Sequence, residues 1–231
     1  MNEDKCFADA AFSDIEVVAR YTEGPRRVVP GFLDMQRMAS LLLAERVPEN
    51  GRVLVVGAGG GLELKAFAEA QPSWSFDGVD PSAEMLTLAE QTMGPVASRV
   101  HLHHGFIDVA PDGPFDAATC ILTMHFVGPE ERRRMASEIR RRLKPGAPFV
   151  VAHLSVPQND EERTVWLSRY AAFAVSSGVE SEKAMKARDT VDSQLSILTP
   201  GEDETILQEA GFSNVSLFYV GFAFRGWVAY A

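Results

Sequence analysis

Residues 53–64 read VLVVGAGGGLEL, an apolar run that breaks into four glycines within five positions. An unbroken apolar run of strand length suits a strand covered on both faces, as in a parallel sheet. Directly after it, a backbone with so few side chains serves a tight turn, a dinucleotide or another nucleoside cofactor. Glycine adopts positive φ and lets a ligand approach the chain closely. In an open α/β sheet this turn falls at the carboxyl end of the first strand, beside the point where strand order reverses, and ligands bind there.

The segments that follow alternate in period. RVLVVG, SFDGVD, RVHLHHG, FDAATCILTM and KPGAPFVVAHL read as five strands. Between them, LELKAFAEA, AEMLTLAEQTM and PEERRRMASEIRRRL read as helices, the second with Asp80 or Ser82 as N-cap and the third with Pro129 near its start. This order predicts an α/β fold with a doubly wound, mostly parallel sheet and right-handed crossovers. DETILQEAGF then reads as a helix stopped by Gly211. NVSLFYVGFAFRGWVAYA gives two strands with so little between them that they must pair antiparallel. The expected sheet therefore has seven strands and an antiparallel last strand. Two helical stretches lie outside the alternation. One is an N-terminal helical cap, 1–50, carrying AFSDIEVVARY and GFLDMQRMASLLLAERV; the other is a helical insertion, 157–198, in an α/β domain spanning 51–231.

The charge balance narrows the partners. A net charge of −10 argues against nucleic acid as a tightly held direct partner, because phosphate backbones are bound by clustered positive charge. The exception is ERRRMASEIRRRLK, 131–144, where Met135, Ile139 and Leu143 form one apolar stripe. It reads as a surface helix whose arginines face water or a partner. Cys6 and Cys120 lack metal-ligand spacing, and Cys120 lies in an apolar run where a buried thiol is expected. His101 and His103 share a strand face without a third ligand, so no metal is expected. His153 reads as structural, and Trp166, Tyr170 and Phe173 as a core stripe on one helix. No apolar run is long enough to span a bilayer, and MNEDKCFADAAF lacks a basic segment before a greasy one. A cytoplasmic protein is expected, with the cap and insertion offering a homodimer surface.

Asp80 ends the second strand, 19 residues after Gly61, where a carboxylate can accept hydrogen bonds from both ribose hydroxyls. The glycine spacing is G-x-G-x-G. The dinucleotide fingerprint would need glycine at position 62, which is Leu62, and this disfavours a nicotinamide cofactor. VVGAGGG, GVDPSAEMLTLAE, LKPGAPFVVAHL and the terminal strand pair together resemble the class I S-adenosylmethionine-dependent methyltransferases. The resemblance implies their Rossmann-like fold and places S-adenosylmethionine against Gly57, Ala58, Gly59, Gly61, Asp80, Pro81, Met85, Phe106 and Ile107. The loop would take the methionine part, Asp80 the ribose, and Met85 the region of the adenine. The family commonly carries an acid two positions before the first glycine, where it helps orient the amino-acid end of the cofactor. Here that position is Val55.

RRVVPGF, LTMHFVGPEERRRM, EKAMKARDTVDSQL and LQEAGFSNVSLFYVGFAFRGWVA resemble one branch in particular, the carboxy-S-adenosylmethionine synthases of wobble-uridine tRNA modification. By that resemblance Arg188 would grip the added carboxylate, and Arg27 would either help close the pocket or bond carbonyls in the N-terminal cap. Phe32, Phe106 and Ile121 stand where the branch has tyrosine, aspartate and asparagine, with Asp108 near enough in sequence to substitute for the aspartate. His125, just after the fourth strand, could act as a base toward an acceptor or bond to backbone. The expected activity is methyl transfer to a small molecule, with Phe32, Arg27, His125 and Arg188 on the substrate side and no catalytic residue assigned. Carboxylation of the cofactor and a non-catalytic partner subunit are the alternatives.

Overall fold

A computed structural model describes residues 22–231. The expected helix over AFSDIEVVARY lies outside the described residues. Two helices precede the first strand, α1 (Gly24–Val28) and α2 (Phe32–Ala44). The alternating part follows as β1 (Arg52–Val56), α3 (Leu62–Ala70), β2 (Ser75–Asp80), α4 (Ala83–Met93), β3 (Val100–His104), β4 (Ala117–Ile121), α5 (Pro129–Arg142) and β5 (Pro148–Leu154). Then come α6 (Asp160–Ser176), α7 (Ser181–Gln194), α8 (Pro200–Glu209), β6 (Ser213–Gly221) and β7 (Phe224–Tyr230).

The seven strands run in the order β3-β2-β1-β4-β5-β7-β6. β1 to β5 pair in parallel, and β7 lies antiparallel between β5 and β6. The fold class is as the sequence predicts. Order reverses between β2-β1 and β4, so the glycine turn after β1 opens at the switch point.

Successive strand residues feed two cores, because side chains alternate across a sheet. Val53 and Val55 join Phe32, Met35, Leu64 and Phe67 on the face covered by α2, α3 and α4. Leu54 and Val56 join Met135, Ile139, Leu207 and Phe212 on the face covered by α5 and α8. Ser82 caps α4 by accepting from the Met85 amide at 3.1 Å, and α8 opens with a capping box between Thr199 and Glu202. Beyond the strand ends, α1, α6 and α7 meet around Ala171, Ala174, Ala184 and Val28, a small apolar cluster that roofs the switch point.

The arginine-rich helix departs from the surface reading. Arg132 and Arg142 of α5 are buried. Arg132 pairs with Asp203, 71 residues away, and Arg142 pairs with Glu138 one turn back. Arg133, Arg134 and Arg141 pair with Glu130, Glu131, Asp108, Asp112, Glu138 and Glu209. The helix matches its charge with carboxylates of the same chain, Arg132 and Arg142 in the interior and Arg133, Arg134 and Arg141 at the surface. Among the described residues, no helix is long and apolar enough to cross a membrane.

Candidate functional site

A cavity of about 750 Å³ opens past the carboxyl ends of the parallel strands. Its floor is the turn after β1. Gly57 has φ +76°, and a Cβ placed there would meet the Thr123 hydroxyl at 2.0 Å. Gly59 has φ +48° and donates its amide to Asp80 Oδ2 at 2.8 Å. The Ser82 amide donates to Oδ1 at 2.9 Å. These two amides fix the Asp80 carboxylate at the cavity wall. A carboxylate accepts hydrogen bonds at about four lone-pair positions, and ribose hydroxyls are donors of the kind it takes.

Pro81, Met85, Phe106 and Ile107 continue that wall. The Pro81 carbonyl also accepts from His104 Nε2 at 2.9 Å. Ala58 sits one step away, in a small recess of about 20 Å³ that shares Gly57, Ile121 and Leu122 with the main cavity. Gly61 does not line the cavity. A Cβ there would lie 2.8 Å from Ala89 Cα, so its glycine lets α3 and α4 approach. Of the nine residues expected on the cofactor side, seven line the cavity, Ala58 lines the recess and Gly61 packs helices.

The substrate-side residues separate. His125 lines the cavity and is buried. Its Nδ1 accepts from the Leu154 amide at 3.3 Å, so the ring proton resides on Nε2. Burial, reinforced by the positive field of His153 and Arg132, pushes its pKa well below the usual range. A histidine held neutral with Nε2 protonated donates a hydrogen bond and is a poor base. Phe32 lines the recess. Arg27 is exposed and pairs with Glu23 at 2.7 Å, away from the cavity lining. Arg188 turns to Asp189 at 2.7 Å, and the basic side chains that α7 gives the cavity are Lys183 and Lys186. Asp108 pairs with Arg134 and does not line the cavity either.

Two site residues carried no signal in the sequence. Leu122 adopts φ +58° immediately after β4, a sterically costly conformation for a branched side chain, and lines both cavity and recess. Glu63 is buried on α3 and lines the recess. Tyr170, read as core, also faces the cavity beside Phe224.

The strand order and the loop define the fold of a class I S-adenosylmethionine-dependent methyltransferase, and residues 53–146 match the family model described as a methyltransferase domain. S-adenosylmethionine or a derivative is the cofactor of such a domain. Over its whole length the chain is similar to the carboxy-S-adenosyl-L-methionine synthase of Chromohalobacter salexigens, 26% identical, covering 98% of this chain and 90% of that protein. Among solved structures it resembles a putative O-methyltransferase from Nostoc punctiforme, with a TM-score of 0.70 at 20% identity, covering 97% of this chain and 63% of that one. It also resembles PigF with SAH, with a TM-score of 0.68 at 16% identity, covering 96% of this chain and 61% of that one.

The residues present fit that cofactor: the bare backbone turn at Gly57 and Gly59 lines the cavity, and Asp80 is fixed at its wall. Replacing Asp80 by asparagine removes the charge and turns one of its two oxygens into an NH2 donor, so either the Gly59 or the Ser82 amide loses its acceptor. S-adenosylhomocysteine affinity should fall on the order of 10–100-fold, the size of a lost charge-assisted hydrogen bond. Calorimetric titration checks this, and unchanged affinity would remove Asp80 from the site.

Proposed function

We propose that the protein transfers the methyl group of S-adenosylmethionine to a small, largely apolar acceptor with an acidic end. The observation that supports this reading is the apolar part of the cavity lining. It is built from Val28, Val29, Leu154, Tyr170, Val191 and Phe224, with Lys183 and Lys186 at α7. The cofactor, when bound, supplies a methyl group already activated on a sulfonium. The protein then has to align the acceptor and keep water away. α1, α6 and α7 form the roof that excludes water. His125 offers an Nε2 proton as donor, and Lys186 supplies positive charge to an acidic group, with Lys183 beside it paired to Glu180 at 2.8 Å. No triad or metal is required. Among the described residues, no group of three or more His, Cys, Asp and Glu side chains is placed to hold a metal ion.

Carboxylation of the cofactor itself is the second reading, supported by the whole-chain similarity to carboxy-S-adenosyl-L-methionine synthases. Against it stand Phe32, Phe106 and Ile121 at positions that are polar in that branch, and the pairing of Arg188 with Asp189. Native mass spectrometry of the purified protein, followed by release of any small molecule, separates the two. The expected ligand is S-adenosylmethionine or its demethylated product. A ligand heavier than S-adenosylmethionine by one carboxyl group would establish the second reading. An empty protein showing no thermal shift with saturating S-adenosylhomocysteine would sink both.

A further inference from the structure

Val55 leaves the amino-acid end of a cofactor without the strand acid that the class commonly supplies, and Val55 is itself fully buried. In the sheet, Val55 pairs with Thr119 of β4. Residues paired across parallel strands face the same side, so the Thr119 hydroxyl marks where a Val55-borne carboxylate would stand. The Glu63 carboxyl arrives at this spot from the first turn of α3. It is 6% exposed, and its Oε1 is buried without a hydrogen-bond partner. The Thr119 hydroxyl makes no well-formed hydrogen bond either, but it lies close enough to the Glu63 carboxyl to stabilise its charge in part. Both belong to a buried polar corner in which Glu63 Oε1 has hydrogen-bonding capacity to spare.

The recess in front of Glu63 is bounded by Gln36, Phe32, Ala58 and Gly57, and it adjoins the main cavity, sharing Gly57, Ile121 and Leu122 with it. At about 20 Å³ it holds a group the size of one water or one ammonium. A nucleoside whose ribose lies at Asp80 would run its amino-acid end along Gly57 toward this recess. We propose that Glu63 is the residue that receives the α-ammonium of the cofactor, taking over from α3 the role left open at Val55. This assignment rests on the cofactor reading given above and adds a residue that sets affinity for the amino-acid end.

The electrostatics agree. Burial raises the Glu63 pKa to about 8, only partly offset by Thr119, so without a cation beside it the carboxyl is mostly protonated at neutral pH. Cys120 on β4 is the titratable neighbour that feels Glu63, and burial holds it as a thiol. An arriving ammonium favours the carboxylate, as does the amino end of α3, and the proton leaves to solvent. Binding at the amino-acid end is therefore linked to proton release.

The test compares two ligands by titration calorimetry at pH 7, in buffers of different ionisation enthalpy. S-adenosylhomocysteine carries the amino-acid end, whereas 5′-methylthioadenosine shares the adenine and ribose and lacks it. For the wild type, binding of the first should release about one proton and binding of the second none. Glu63→Gln, and Glu63→Ala as a second variant, should weaken S-adenosylhomocysteine roughly 10–100-fold, abolish the proton release and leave methylthioadenosine within about twofold. Ligand-free melting temperature guards against misfolding, and Glu63→Gln should melt no lower than the wild type, because an isolated buried carboxyl is costly. Equal losses for both ligands, or S-adenosylhomocysteine affinity within about threefold of wild type, would overturn the assignment. If the wild type binds neither nucleoside, the cofactor reading itself fails and takes this one with it. That result is distinct from the selective arms.

Discussion

Gly57→Ala is expected to abolish binding of S-adenosylhomocysteine and to destabilise the protein by about 2–4 kcal/mol, combining a left-handed backbone penalty with overpacking. Two separate facts set this size. The residue has φ +76°, and the added Cβ would stand 2.0 Å from Thr123 Oγ1 and 2.7 Å from Thr123 Cβ. A hydroxyl can rotate away, but a Cβ moves only with the backbone, and the Thr123 backbone follows directly on the strained Leu122. For a domain of this length the loss corresponds to a melting temperature roughly 5–15 °C lower. Gly178→Ala separates the two causes. Gly178 has φ +89° and nothing within 4 Å of the added Cβ, so only the backbone penalty applies there. Its melting temperature should fall by a smaller amount, with ligand affinity unchanged. Adding Thr123→Ala to Gly57→Ala removes Oγ1 and Cγ2 but not Cβ, so stability should recover in part and binding less. If Gly57→Ala binds S-adenosylhomocysteine normally, the glycine turn is structural and the cofactor does not approach it.

The contrast between Gly57 and Gly61 shows how far the sequence could be read. Both lie in the same glycine run, and a run announces a bare turn without saying which glycine faces a ligand and which faces a helix. Ala89, the neighbour of Gly61, is 28 positions further along the chain. The sheet was legible because continuous apolar strands and short turns are local signals, and Asp80 was legible because a strand end is a defined place. Glu63 was not. An acid in the first turn of a helix is ordinarily a solvated, dipole-favoured residue, and only the packing of α3 over the Val55–Thr119 pair buries it. Arg188 failed to reach the cavity for a related reason. Its neighbour Asp189 offers a carboxylate at hydrogen-bond distance, while α7 turns Lys183 and Lys186 toward the cleft. Helical position decides which cation on one face is useful, and a cluster of three leaves that choice open.

Arg132→Met should cost about 3–5 kcal/mol, the range for removing one partner of a buried ion pair, and lower the melting temperature roughly 6–20 °C. Arg132 is fully buried, holds Asp203 at 2.5 Å and donates to the Ser196 carbonyl. His153 Nε2 lies 3.1 Å from the same Asp203 oxygen. The network joins α5, β5 and α8 to the end of the insertion. Burial alone would raise the Asp203 pKa, but the positive field of His153 and Arg132 outweighs it and the net direction is down. A carboxylate depressed in the folded state stabilises the protein above its unfolded pKa, about 3.9, and loses that contribution as pH falls through the folded value. Removing Arg132 weakens the depression, so the stability gap between wild type and variant should narrow as pH falls below about 4. Melting curves from pH 7 downward test this; a gap independent of pH would show that packing, not the ion pair, carries the loss. Arg132→Met combined with Asp203→Leu should regain much of the stability, since an apolar pair leaves no orphaned charge. The functional consequence falls on the acceptor side. Ser196 adjoins Leu195, and Leu195 and Val127 line the cavity, whereas Asp80 is held by the Gly59 and Ser82 amides. Arg132→Met, assayed well below its melting temperature, should therefore bind S-adenosylhomocysteine almost as the wild type does and lose affinity for the acceptor.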